Sequence, residues 1–209
     1  MLFVWMLVLQ PASAQADTAL DNKAATWVAT LQLTDNAKAK KVQAAIATHL
    51  TAVKDWHNNH HFTLVPEGIN PVTGSKLSEL DRDIIICSAK PKSVHENLMV
   101  VLKTELDSAQ VEIILDKYTI GIVDFTLRGY KAIVPDLTAK EETEILKNLK
   151  QAREQAIDYK NMKEISAIFE IYKTKCEQYL NNNGRNWRQM YKAFTDTIKA
   201  EKEAAKKQQ

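Results

Sequence analysis

Apolar residues recur at steps of three and four through the C-terminal half of the chain. Ile165, Ile168, Phe169, Tyr172, Cys176, Tyr179 and Leu180 follow Met162 at the spacing of one helix face. Asn181-Asn182-Asn183-Gly184 then stops the pattern with residues able to take a left-handed cap. A last helix carries Trp187, Met190, Tyr191, Phe194 and Ile198, which are expected to point inward. Between Thr138 and about Tyr159, Ile145, Leu146, Leu149, Ala152, Ala156 and Ile157 form another stripe. Thr138 with Glu141 three residues on is a capping box, and Pro135 breaks the chain in front of it. Asp107 with Gln110, and Thr34-Asp35, mark two more helix starts. Each start follows a leucine (Leu33, Leu106 or Leu137) placed to staple the first turn.

The segment Val111 to Val134 is rich in β-branched residues, which suit strands. Val111, Ile114, Leu115, Tyr118, Ile122, Phe125, Gly129 and Ala132 nevertheless fall on a helical stripe, so helix is expected, with Gly121 and Gly129 allowing close approach or a kink. Phe62 to Lys76 holds Pro66, Gly68, Pro71 and Gly74 and reads as a loop. Leu77 to Ala89 reads as helix, although Ile84-Ile85-Ile86 also fits a short strand, and Ser93 to Leu106 reads as helix. With only five Gly and five Pro in 209 residues, the fold class expected is all-α, a multi-helix bundle of amphipathic helices.

The N-terminus changes the picture of where this bundle works. Met1 to Leu9 is an unbroken apolar run, followed by Pro11 and small residues at Ala12, Ser13, Ala14 and Ala16. Residues 1–16 therefore read as a signal peptide with an A-x-A-like cleavage site, although no Lys or Arg precedes the run. The expected division is a signal peptide at 1–16, a single helical domain at 17–198 and a charged tail at 199–209, in a periplasmic or secreted protein that does not span the membrane once cleaved. The tail holds four Lys and two Glu, which accounts for the whole net charge of +2. The body is balanced, and nucleic acid is not an expected partner. Cys87 and Cys176 fit a disulfide or two buried thiols equally well.

Among candidate chemistries, His57 and His61 stand four apart in a stretch read as a helix end, the spacing of a metal pair, but no HExxH motif follows and only Asp55 could assist. No metal site and no cofactor is expected. The chain has no G-x-S-x-G elbow, phosphate loop or dinucleotide fingerprint, so binding is expected rather than catalysis. Asp116, Asp124, Glu154 and Asp158 sit at or beside apolar stripes, near Arg128, Arg153, Tyr118 and Tyr130. An Arg within an apolar stripe needs a carboxylate or carbonyl. The group reads either as a structural ion-pair network or as a polar cleft with aromatic faces, which suits sugars.

Several short motifs carry a resemblance. Asp107-Ser108-Ala109-Gln110-Val111, Asp116-Lys117-Tyr118-Thr119-Ile120-Gly121, Gly129-Tyr130, Pro135-Asp136-Leu137-Thr138, Ala152 to Asp158, Phe169 to Lys173 and Tyr179-Leu180-Asn181 occur in order. The chain resembles an exported domain-of-unknown-function family common in Bacteroidota, loosely described as sugar-binding and often encoded near genes for polysaccharide breakdown. The resemblance spans about Leu31 to Asn186 and is strongest from Leu106 onward. Leu115 stands where the family has a Lys before the Asp, and Lys173 to Tyr179 lacks an Arg and two Asn of the family's stretch. Carried over by position, the resemblance implies a ligand site of Asp116, Thr119, Tyr130, Arg153, Glu154 and Asp158, with Tyr118 beside it as an aromatic face. The function expected is carbohydrate binding in a polysaccharide-utilisation setting, with a periplasmic stress-type chaperone or adaptor, binding a protein partner, as one alternative and a sugar-acting hydrolase as another.

Overall fold

A computed structural model of the chain describes residues 12–71 and 73–207. The apolar run Met1 to Leu9, expected as the heart of a signal peptide, lies outside the described residues. Among those described there are nine α-helices and one 3-10 turn, and the only β pairing is an isolated antiparallel bridge between Ile69 and Lys76. The chain is all-α, as its periodicity requires. Contacts group the residues into two compact units, the first ending at Ile114 and the second beginning at Leu115.

The first unit contains α1 (Ala12–Ala29), α2 (Asn36–Asn59), α3 (Glu79–Ser88), α4 (Lys92–Glu105) and the start of α5 (Ser108–Thr119). Helix α2 is its spine and packs on α1 and α4. Its buried face is Val42, Ile46, His49 and Val53, a stripe at steps of three and four. Opposite stand Ala24 and Val28 of α1 and Leu98, Met99 and Leu102 of α4, all buried. Asp35 opens α2 by accepting from the amides of Ala37 and Lys38 at 2.8 and 3.0 Å. The Ile84-Ile85-Ile86 run is helical, within α3. The tripeptide is too short to decide between states, and the Ser78–Asp81 capping box in front of it decides for helix. The proline- and glycine-rich stretch is irregular as expected, apart from a 3-10 turn at Phe62–Leu64.

The second unit contains the end of α5, then α6 (Ile122–Ile133), α7 (Ala139–Ala156), α8 (Met162–Asn182) and α9 (Trp187–Lys207). Helices α7 and α8 share the largest interface, α6 packs on α7, and α9 lies more lightly against α6 and α8. Ile145, Leu149, Ile168, Phe169 and Leu180 are fully buried between them, each worth roughly 1.5–3 kcal/mol of transfer free energy. The expected capping box is formed: Thr138 accepts from the Glu141 amide while Glu141 accepts from the Thr138 amide and hydroxyl. At the far end of α8, Gly184 takes φ +85, and the amides of Gly184 and Arg185 donate to the carbonyls of Asn181 and Leu180. This is the six-to-one and five-to-two closure that a left-handed residue permits.

Val111 to Val134 is helical but is two helices, not one bent one. The chain turns left-handed at Ile120 (φ 53) and Gly121 (φ 71), and the Gly121 amide closes α5 on the Asp116 carbonyl at 3.4 Å. Helix α6 then starts afresh at Ile122. A β-branched residue disfavours this conformation, so sequence alone argued for continuity. Cys87 and Cys176 are buried thiols that do not form a disulfide.

Candidate functional site

The residues expected to bind ligand fall into separate places. Asp116, one turn from the end of α5, stands 3.7 Å from the Arg153 guanidinium. Arg153 is 4% exposed, so this cation on the inner face of α7 is held within the fold, while Asp116 remains partly open to solvent. Tyr118 is buried, and burial pushes its hydroxyl well above the ordinary tyrosine range, with the negative charge of Asp158 adding to the effect. Asp116 therefore supplies the counter-charge that the buried Arg153 cation needs, while the neutral Tyr118 hydroxyl lies within the field of Asp158. Thr119 is fully buried. Glu154 is exposed on α7, and so is Asp124 on α6; both lie off the apolar stripes beside which their spacing placed them. Tyr130 stands apart from this group, in a groove formed by α6, α8 and α9.

That groove has a volume of about 700 Å³, within the range of roughly 300–1,000 Å³ usual for small-molecule sites. Its floor is Tyr130, which is buried and donates its hydroxyl to the Lys173 carbonyl at 3.2 Å. The Trp187 ring packs on Tyr130 at 5.1 Å between centroids, and Tyr191 lies 6.0 Å from Trp187 with the two planes 29° apart. Phe125, on α6, is 72% exposed and also lines the groove, as do Arg128, Glu170, Lys173 and Glu177. Lys173 pairs with Glu170 at 2.7 Å. Burial raises the affinity of Glu177 for its proton, partly offset by the nearby Lys173 charge and reinforced by Glu170. Burial likewise pushes the Cys176 thiol, one turn before Leu180 on α8, up to about 11, so it is held as a neutral, inert thiol.

The joint that places α9 is built by charge. Arg185 follows the Gly184 turn and donates to Glu141 from Nε at 2.9 Å and from Nη2 at 2.8 Å. It also reaches the Asp136 carboxylate at 2.7 Å and its carbonyl at 3.0 Å. The Arg185 guanidinium is the main reason the buried Glu141 carboxyl is held at about 2. The Trp187 amide donates to the Asn181 side chain at 2.9 Å, fixing the first residue of α9 against the end of α8.

The spacing marks Tyr130 as a candidate site residue but places Phe125, Trp187 and Tyr191 on apolar helix stripes, which read as core, whereas all four line the groove. Tyr191 is 50% exposed, and α9 buries its apolar face only in part. The signal that could have found it is the spacing of Trp187 and Tyr191 one turn apart, next to a run with few other large apolar residues. His57 and His61 do not share a helix face. Helix α2 ends at Asn59, His61 caps the following 3-10 turn, and the His57 ring nitrogen Nδ1 lies 3.8 Å from Cys87 Sγ.

Comparison with curated proteins finds no match. Residues 18–200 match the model of a family described as protein of unknown function (DUF3826), and the chain belongs to that family.

Proposed function

We propose that this is an exported carbohydrate-binding protein whose ligand lies in the groove of α6, α8 and α9. The observation that carries the reading is the side-by-side placement of aromatic faces (Trp187, Tyr191, Phe125) and charged hydrogen-bonding groups (Arg128, Glu177) around one open cavity. A sugar has the complementary chemistry: C–H faces that pack on aromatic rings, and hydroxyls that pair with planar polar groups. The resemblance to a Bacteroidota family encoded near polysaccharide-breakdown genes points the same way. Binding is favoured over hydrolysis because both carboxylates of the groove come from α8, whereas glycosidic cleavage uses two carboxyl groups flanking the bond. The charged lining also argues for a polar ligand over an unfolded chain or a protein adaptor surface.

Export rests on the apolar N-terminal run and the Ala12 to Ala16 cleavage chemistry. It is supported by a family match that begins after this segment, at residue 18. The mass of the protein recovered outside the cytoplasm should correspond to a chain starting at Gln15 or Asp17; a full-length mass would remove this part of the reading.

Titration of the mature protein with pooled plant cell-wall oligosaccharides, followed by calorimetry and tryptophan fluorescence, tests the binding reading. Heat release together with a fluorescence change that is lost in Trp187→Phe is expected. No heat with any pool, or binding unaffected by changes at Trp187 and Arg128, would overturn it.

A further inference from the structure

Resting on the reading of the groove as a sugar site, we infer that its ligand is a chain of neutral sugar units laid along α9, with successive rings on Trp187 and Tyr191, and not a single sugar or an acidic one. These two side chains stand on successive turns of α9, both line the groove, and their rings are 6.0 Å apart between centroids with planes inclined by 29°. Two aromatic rings in succession along α9 offer two stacking positions. A single pyranose covers one of them and leaves the other wet; a chain covers both and removes more apolar surface from water. Phe125, 72% exposed on α6, extends the apolar surface of the same groove. A cavity of about 700 Å³ is also larger than one hexose requires.

Charge selects against an acidic ligand. The groove carries Arg128 and Lys173 against Glu170 and Glu177, and Lys173 and Glu170 already neutralise one another. Among the described residues, Arg128 and Glu177 make no ion pair, and each is open to a ligand. The hydroxyls of a neutral sugar can donate to the Glu177 carboxylate and accept from the Arg128 guanidinium. A uronic acid satisfies Arg128 but brings a second negative charge towards the Glu177 carboxylate, which has no cation paired with it.

Calorimetry of the full mature chain against glucose, β-linked gluco- and xylo-oligosaccharides of two to six units, and oligogalacturonides of the same lengths tests this. Affinity is expected to rise about tenfold from one unit to two or three and then flatten, a step matching about 1.4 kcal/mol for one more stacked ring. Neutral chains are expected to bind at least about tenfold more tightly than galacturonides. Tyr191→Ala should shrink the gain with chain length while Tyr191→Phe preserves it, and Glu177→Gln should narrow the gap between neutral and acidic chains. The inference is overturned if one sugar binds as tightly as a hexamer, or if galacturonides win, even though a sugar site would then stand. Absence of binding by every carbohydrate would instead remove the sugar site itself.

Discussion

Among the described residues only Gln32 and Ile120 are non-glycine residues at positive φ, and of the two only Ile120 is β-branched. It is 74% exposed and sits at φ 53, where Cβ crowds the following carbonyl oxygen. Little packing is lost if its side chain is removed, so conformation dominates the outcome. Ile120→Gly should stabilise the fold by about 1 kcal/mol, seen as a higher urea midpoint with an unchanged slope. A lower midpoint would show that the exposed Ile side chain makes contacts outweighing its strain. Tyr118, two residues earlier, was legible as a buried aromatic because it falls on the helical stripe. That its hydroxyl would lie within the field of Asp158 was not legible, because forty residues separate the two along the chain and only the packing of the second unit brings them close.

At the scale of the helix, boundaries were readable wherever a side chain closes the end locally. Thr138 with Glu141 announces the start of α7, and Asn183-Gly184 the end of α8, because the groups involved are within a few residues of each other. Thr138→Ala removes both the acceptor for the Glu141 amide and the hydroxyl donating to the Glu141 carboxylate. It should cost about 1 kcal/mol in chemical denaturation; a change of under a few tenths would mean that the Arg185 contacts hold Glu141 unaided. The end of α5 escaped sequence reasoning for the opposite reason. Its closing residue is Ile120, whose type gives no sign of a left-handed turn. The periodicity of α9 predicts a buried face because it reports that a face is apolar and not what covers it.

Across the molecule, the Arg185 joint makes stability depend on pH. The folded chain keeps Glu141 ionised to about pH 2, whereas an ordinary glutamate takes its proton near 4.5. The joint's contribution is therefore complete above about pH 4.5 and disappears as pH falls towards 2. Arg185→Ala, which leaves the Glu141 carboxylate buried without its cation, should cost about 3 kcal/mol at neutral pH. The difference between variant and parent should shrink below pH 4.5, measured as urea midpoints from pH 7 to 3. A difference that stays constant over that range would show that the joint acts through packing and not charge.

What the chain determines by itself is helix: the three-to-four periodicity, the Thr138, Asp107 and Asp35 starts and the scarcity of Gly and Pro act over a few residues, and no tertiary partner is needed to state them. The aromatic groove was decided only by tertiary structure. Trp187 and Tyr191 carry the same pattern whether a neighbouring helix covers them or leaves them open. It is the turn at Gly184 and the long-range grip of Arg185 on Asp136 and Glu141 that seat α9 so that part of its apolar face remains uncovered. Burial depends on which surfaces meet, and that depends on contacts between residues far apart in the chain.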